Sequence, residues 1–221
     1  FSIPLKTTPI SYCSFTAQSP TAALIRLAKV VIWDEASMIS RNLVNTVDLS
    51  LRDTMQSVDP DLANVPFGGK IFIFGGDFRQ VLPIVPRGTR TDIIEQCLNQ
   101  WPLWQYVQQK PLRVNMRVMQ AQNGDNNEAG GPLEDFSRYL LNVGNGVIPT
   151  VDDTEYINIP TNLVIPDGEY SNLASYVYNS FADESDRTFE SLGSRAILAP
   201  TNVKVNEINE YLLNQFSDEN A

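Results

Sequence analysis

Four consecutive apolar residues, Val30-Val31-Ile32-Trp33, run straight into two acids, Asp34 and Glu35. With no polar residue interrupting it, the run has the pattern of a strand covered on both faces in a parallel sheet. In open α/β sheets, ligands bind just beyond the carboxyl ends of the strands. Two carboxylates there suit a hydrated Mg²⁺ and an activated water beside a nucleotide. On this stretch alone, an ordinary acidic turn after a strand accounts for the pattern equally well.

A second stretch separates the two readings. Lys70 to Gln80, KIFIFGGDFRQ, repeats the arrangement: apolar Ile71 to Phe74, then Gly75 and Gly76, then Asp77, Arg79 and Gln80. The glycines permit a tight turn with close backbone approach. Two strands whose polar ends meet at one sheet edge predict an NTPase-type site.

The rest of the composition narrows the chemistry. At 221 residues there is room for one large domain or two small ones, and no apolar run approaches the ~20 residues of a membrane span. The start, FSIPLKTTPI, has neither an initiator Met nor the regions of a signal peptide, so a piece of a longer protein is expected. Cys13 and Cys97 are isolated, which indicates no disulfide framework and no zinc site and fits a reducing, intracellular compartment. The absence of His excludes Ser-His-Asp triads, Cys-His nucleophiles and His-ligated metals. Any metal must then be a hard cation on oxygen ligands, Mg²⁺ first. Charge is unevenly placed: residues 1–120 hold twelve Lys and Arg against nine Asp and Glu, whereas residues 121–221 hold four against seventeen. Phosphate contact is therefore expected in the first half and not in the second.

Taken in order, Ser19-Pro20 predicts a helix start, with Ser as cap and Pro at the first helical position, over Thr21–Ala28. Ser40 is expected to cap a longer helix buried through Leu43, Val47, Leu51 and Met55. Asp59 to Pro66 reads as a loop and Val81 to Gly88 as an extended Pro-rich segment. Arg87 and Arg90 flank Gly88 on an exposed turn, where contact with a phosphate backbone and simple solvation fit equally. Thr91 is expected to cap a helix over Asp92–Leu98, and Trp101 and Trp104 read as core or interface rather than base-stacking platforms. Pro111–Val118 predicts a short strand with Arg117 at its exit, followed by a flexible insertion at about 119–131. A helix from Pro132 to Val143 should end on Gly144, and Leu173, Val177 and Phe181 mark another. Tyr156–Ile165 alternates weakly and reads as a strand interrupted at Pro160, Arg195–Pro200 as a short buried strand, and Asn202 as the cap of a final helix through Val205, Ile208, Leu212 and Phe216. Strands alternating with helices predict an α/β fold with a parallel sheet.

Three of these stretches together resemble the petite-integration-frequency family of superfamily-one DNA helicases, especially the branch encoded by Helitron transposons. WDEASM (Trp33–Met38) is similar to its Walker-B motif, PFGGKIFIFGGDFRQVLPIVPRGTR (Pro66–Arg90) to its third helicase motif with flanks, and LRVNMR (Leu112–Arg117) to its fourth. RAILAPTNVKVNEIN (Arg195–Asn209) more loosely resembles the start of its second RecA-like domain. The resemblance implies a RecA-like P-loop NTPase fold, with a partial first domain over 1–110 and the beginning of a second over 111–221. It implies ATP as substrate, Mg²⁺ as cofactor, single-stranded and duplex DNA as partners, and 5′-to-3′ unwinding. Asp34 would hold Mg²⁺ with Glu35 nearby, Glu35 would orient and deprotonate the attacking water, Gln80 would sense the γ-phosphate, and Arg117 would act as an arginine finger. Asp77 and Arg79 read as a structural pair. A nuclear location follows from the resemblance, with the mitochondrion as its alternative; replication, repair, recombination, telomere maintenance and transposition are all compatible with it.

The sequence also departs from the family pattern. No GxxxxGK[ST] occurs in it, so the phosphate-cradling loop and its Lys are missing from these residues. The expectation is an internal segment, inactive alone, with an apolar sheet face left open. A degenerate, transposon-derived domain that binds DNA or a protein without catalysis is the alternative. A two-metal nuclease on Asp34, Glu35 and Asp77 fits the carboxylates but leaves Gln80 and Arg117 unexplained.

Overall fold

In the computed structural model, which describes residues 1–123, 130–152, 154–165, 167–178 and 188–217, the two apolar runs are paired parallel strands. β1 (Val30–Trp33) lies in register with β2 (Ile71–Phe74), Val30 beside Ile71 and Trp33 beside Phe74. Helices surround them in the order α1 (Pro20–Leu27), β1, α2 (Arg41–Met55), β2, α3 (Arg90–Gln96), which is the α/β class expected. The chain divides into two compact units, Phe1–Val147 and Ile148–Ala221.

The core of the first unit lies between α2 and one face of the sheet. Val44, Val47 and Leu51 on α2 are fully buried, with Phe67, Leu98 and Trp101 beside them, and Trp33, Phe72 and Phe74 pack against this cluster. Each fully buried side chain of this size is worth ~1.5–3 kcal/mol. Trp101 belongs to the core as expected, its indole N–H donating to Asn45 Oδ1 at 3.2 Å. Leu43 and Met55 are only half-buried, because a 3.6-residue repeat drifts off a spacing of four and centres the buried stripe on Val44, Val47, Leu51 and Thr54. The sheet is covered on one face and open on the other, the open apolar face expected of the segment, although the unbroken runs alone have the pattern of cover on both. Val30, Ile32, Ile71 and Ile73 point away from the core and are exposed among the described residues.

Caps set the helix limits. Ser19 and Ser40 accept from the N–H groups of Ala22 and Leu43, as expected for α1 and α2. The α3 cap is Thr89 rather than Thr91. Its hydroxyl takes the Asp92 N–H while the Asp92 carboxylate takes the Thr89 N–H, a closed box that outcompetes a start two residues later.

No strand forms over Pro111–Val118. Residues 111–115 are irregular and α4 (Met116–Asn123) begins there, because Asn115 Oδ1 accepts the N–H groups of Arg117 and Val118 and so caps a helix. Of the insertion expected at 119–131, residues 119–123 are helical and 124–129 lie outside the described residues. α5 (Gly130–Gly144) starts two residues before Pro132 and, as expected, ends on Gly144. The end is capped by Gly146, left-handed at φ 66°, with the Gly146 N–H on Val143 O and the Val147 N–H on Asn142 O.

In the second unit, α6 (Tyr170–Val177), α7 (Phe189–Gly193) and α8 (Asn202–Ser217) are helical, and Tyr170 packs edge-on against Tyr211. Phe181 lies outside the described residues, and so does the side chain of Phe216. Arg195–Pro200 is not a buried strand. Leu198 is 92% exposed, and among the described residues no strand lies beside it to give the backbone ladder bonds. Around Tyr156–Ile165 a single antiparallel bridge, Thr150 to Ile157, takes the place of the strand, and Pro160 leads into a 3-10 turn over Thr161–Leu163.

Candidate active site

Both strands end at the same edge, so the turns that follow them meet. After β1 the chain passes through Asp34 and Glu35 into a 3-10 turn over Ala36–Met38. Glu35 sits in the left-handed region, at φ 51° and ψ 37°, which costs a non-glycine residue ~1–3 kcal/mol. Such strain persists where the surroundings hold it. Here the Glu35 N–H donates to Asp34 Oδ1 at 2.9 Å, and the next N–H, that of Ala36, donates across to Gly75 O at 2.7 Å. Asp34 and Glu35 are both exposed, facing away from the core.

The turn after β2 is joined to this one. The Gly75 N–H continues the ladder to Trp33 O at 2.9 Å, and the Asp77 N–H donates to the Ser37 hydroxyl at 3.2 Å. A Cβ at Gly75 would stand 3.2 Å from Asp34 Oδ1, and one at Gly76 only 2.9 Å from the Ser37 nitrogen. Neither glycine has a positive φ. Close approach is what requires them.

Asp77 and Arg79 form the structural pair expected. Asp77 Oδ1 accepts from Arg79 Nε at 2.8 Å and from the Arg79 N–H at 3.0 Å. These bonds from Arg79, with a smaller one from the Gln80 side chain, hold the Asp77 carboxyl below the usual carboxylate range, while burial works the other way. The Gln80 N–H closes the turn on Asp77 O at 3.0 Å, leaving Gln80 exposed at the same edge. Phe78 packs edge-on against Trp104, with ring centroids 5.7 Å apart.

The other expected site residues lie elsewhere in the first unit. Arg117 is exposed in the first turn of α4; among the described residues no hydrogen bond or ion pair joins it to Asp34, Glu35 or Gln80. Asn115, which caps that helix, also donates from Nδ2 to Ser137 Oγ on α5 at 2.9 Å. Arg87 is exposed with a left-handed backbone (φ 59°), and Arg90, also exposed, opens α3. Among the described residues no three His, Cys, Asp or Glu cluster as metal ligands. Mg²⁺ needs no such cluster, since it is held by one or two carboxylates together with water and substrate phosphates. Asp34, an exposed carboxylate whose Oδ1 takes the turn bond, fits that requirement.

A model of the PIF1-like helicase family matches residues 1–154, which contain both strands and every site residue named above. The chain belongs to the PIF1-like helicase family. Two solved structures are similar over part of it. One is the crystal structure of Bacteroides Pif1 bound to ssDNA, 24% identical over 48% of this chain and 24% of that one, with a TM-score of 0.36. The other is Bacteroides sp Pif1 in complex with ADP-AlF4, 18% identical over 55% of this chain and 30% of that one, with a TM-score of 0.38. The chain thus spans less than a third of the length of either, and its membership rests on the family match. No curated protein matches it. The RecA-like, α/β fold class goes with the PIF1-like membership.

Sequence reasoning missed Ser37, Asp48, Lys70 and Asn115. The PIF1-like motif stretches contain Ser37, Lys70 and Asn115 as letters, but Ser37 finds Asp77 only once the two turns face each other, Lys70 bonds the end of α1, and Asn115 caps its own helix. Lys70 Nζ donates to Ala28 O at 2.7 Å and Arg26 O at 3.3 Å, closing the carbonyl end of α1, and burial there pushes its pKa down.

Proposed function

We propose that the chain is a segment of an ATP-dependent 5′-to-3′ DNA helicase whose nucleotide chemistry takes place at the shared carboxyl edge of β1 and β2. Asp34 is the Mg²⁺ ligand, and the ion supplies charge neutralisation on the phosphates when bound. Glu35, whose backbone is held in the left-handed turn, orients the attacking water and takes its proton. Gln80 reads the terminal phosphate, its amide able to donate to phosphate and to accept from water. Arg117 is the residue that neutralises charge on the transferring phosphoryl group, and Arg87 and Arg90 contact the DNA backbone. The division into a first RecA-like domain over 1–110 and a second over 111–221 is part of the same proposal.

The observation that carries this reading is the bonding between the two turns, which brings Asp34 and Glu35 to the edge that also presents Gln80. The 221 residues contain no GxxxxGK[ST], so the isolated chain is expected not to turn over ATP, with or without single-stranded DNA. Residues 30–90 exchanged into a working PIF1-like helicase should preserve DNA-stimulated hydrolysis, and Glu35→Gln in that chimera should lower kcat by ~10²–10⁴. A folded chimera indifferent to Glu35→Gln would refute the assignment.

The missing loop favours one second reading, a domain that binds DNA or a protein without catalysis. Salt-dependent DNA affinity of the isolated chain, unaffected by nucleotide, would identify it.

A further inference from the structure

We infer that Ser37 is a positioning residue, whose hydroxyl holds the turn bearing Gln80 at a fixed spacing from the turn bearing Asp34 and Glu35. The bonds between the two strands do not stop where the strands do. Gly75 donates to Trp33 O as the next rung of the ladder, and where the rung after it would take the Glu35 N–H, which turns to Asp34 Oδ1, the Ala36 N–H donates to Gly75 O instead. The backbone then leaves the sheet for the 3-10 turn over Ala36–Met38, and no carbonyl is presented for the next N–H, that of Asp77. The Ser37 hydroxyl takes that place at 3.2 Å. Ser37 is 2% exposed although Asp34 and Glu35 beside it are open to water, and a hydroxyl is kept that deep only with its bonding satisfied. Gly76 is matched to it, because a Cβ there would lie 3.1 Å from Ser37 Oγ as well as 2.9 Å from Ser37 N. From Asp77 the connection reaches Gln80 directly, through the Gln80 N–H on Asp77 O.

The importance of this spacing for catalysis rests on the function proposed above; the clamp itself does not, and its test uses no nucleotide. Amide hydrogen exchange is measured residue by residue on the full 221-residue chain, for the parent, Ser37→Ala, Ser37→Thr and Gly76→Ala. Ser37→Ala should speed exchange at Asp77 and Gln80 about five-fold, the equivalent of the net worth of one hydrogen bond, with Val47 and Leu51 on α2 unchanged. Ser37→Thr, which keeps the hydroxyl, should stay within about two-fold of the parent. Gly76→Ala should give the same local rise with the hydroxyl intact, and it decides the question if Ser37→Ala unfolds the chain. Unchanged protection of Asp77 in Ser37→Ala, or in Gly76→Ala where that variant decides, overturns the inference. In the active chimera Ser37→Ala should lower kcat more than it raises KM for ATP. A local exchange effect in the 221-residue chain, beside a folded chimera without ATPase activity, would leave the Ser37–Asp77 bond standing and remove the proposed function.

Discussion

Asp48 offers the sharpest test of how β2 is held. It lies in the middle of α2 with its side chain 3% exposed, and Oδ1 accepts the Phe67 N–H at 2.5 Å and Arg52 Nε at 3.0 Å. Oδ2 pairs with Arg52 Nη2 at 2.8 Å. Phe67 has a left-handed backbone (φ 53°), is itself buried, and stacks on Phe72 with ring centroids 3.7 Å apart. Replacing Asp48 by Ala leaves the buried Phe67 N–H without its acceptor, at ~1–3 kcal/mol. It also removes the ion pair, but Arg52 is 22% exposed and recovers water, so that part is held to about 1 kcal/mol. The expected total is about 3 kcal/mol. Asp48→Asn keeps an oxygen for Phe67 and loses chiefly the charge, so about 1 kcal/mol is expected. Urea unfolding followed by tryptophan fluorescence separates the two, since ~3 kcal/mol at a slope of ~2 kcal/mol/M moves the midpoint by about 1.5 M. Equal losses for Ala and Asn, or a loss below about 1 kcal/mol for Ala, would show that the carboxylate does not hold Phe67.

Gly144→Ala should destabilise by about 1 kcal/mol although Ala favours helices by a similar amount, because the new Cβ would stand 2.9 Å from Arg79 Cβ, the root of a side chain that cannot swing aside. Gly131→Ala, on the same helix with nothing within 4 Å, should stabilise by ~0.5–1 kcal/mol, and a matching effect at both positions in thermal unfolding would exclude the contact. Asp77 is held below its usual range by Arg79, so folding favours its charged form. That stabilisation is complete above the ordinary carboxylate pKa and disappears as pH falls through the folded value. With the pair about one-third exposed it amounts to less than ~1 kcal/mol, and Asp77→Asn should flatten the acid end of the stability–pH curve; an unchanged curve would discount the pair. Glu35→Gly should stabilise the fold by about 1 kcal/mol by relieving the left-handed strain while removing the proposed base, whereas Glu35→Gln should leave urea stability unchanged. No gain for Gly would mean that the turn is unstrained.

What the sequence disclosed follows the range of the interactions involved. Ser19-Pro20 and Ser40 announce α1 and α2 because a cap acts on N–H groups two or three residues away. β1 and β2 are legible as apolar runs, and Asp34, Glu35 and Gln80 as the polar ends of those runs. Pro111–Val118 misleads for an equally local reason: its apolar positions suit a strand, yet the Asn115 side chain captures two N–H groups and starts a helix. Arg195–Pro200 misleads for a non-local one, since an apolar run becomes a strand only beside another. The left-handed Glu35 gives no compositional sign, because Gly or Asn would be the usual residue there. Ser37 and Asp48 are ordinary helix- or turn-compatible letters whose partners lie 40 and 19 residues away.

Those long-range bonds answer a physical problem posed by the strands themselves. A four-residue parallel pair has few ladder bonds with which to fix its register. A slip by one residue would turn Phe72 and Phe74 out of the core and carry Gln80 about 3.3 Å along the strand direction, while misplacement of a reacting group by ~1 Å can cost ~10²-fold in rate. Side chains supply the missing restraint. Lys70 grips the carbonyls at the end of α1 just before β2, and Asp48 holds Phe67 three residues earlier. Beyond the strand, Ser37 holds Asp77. β2 is thereby fixed at both ends from three different elements. Loosening either end should blur the placement of Gln80, but with opposite signatures. Loss of Asp48 should lower global stability and leave the local exchange of Asp77 tied to it. Loss of Ser37 should free Asp77 while α2 stays protected.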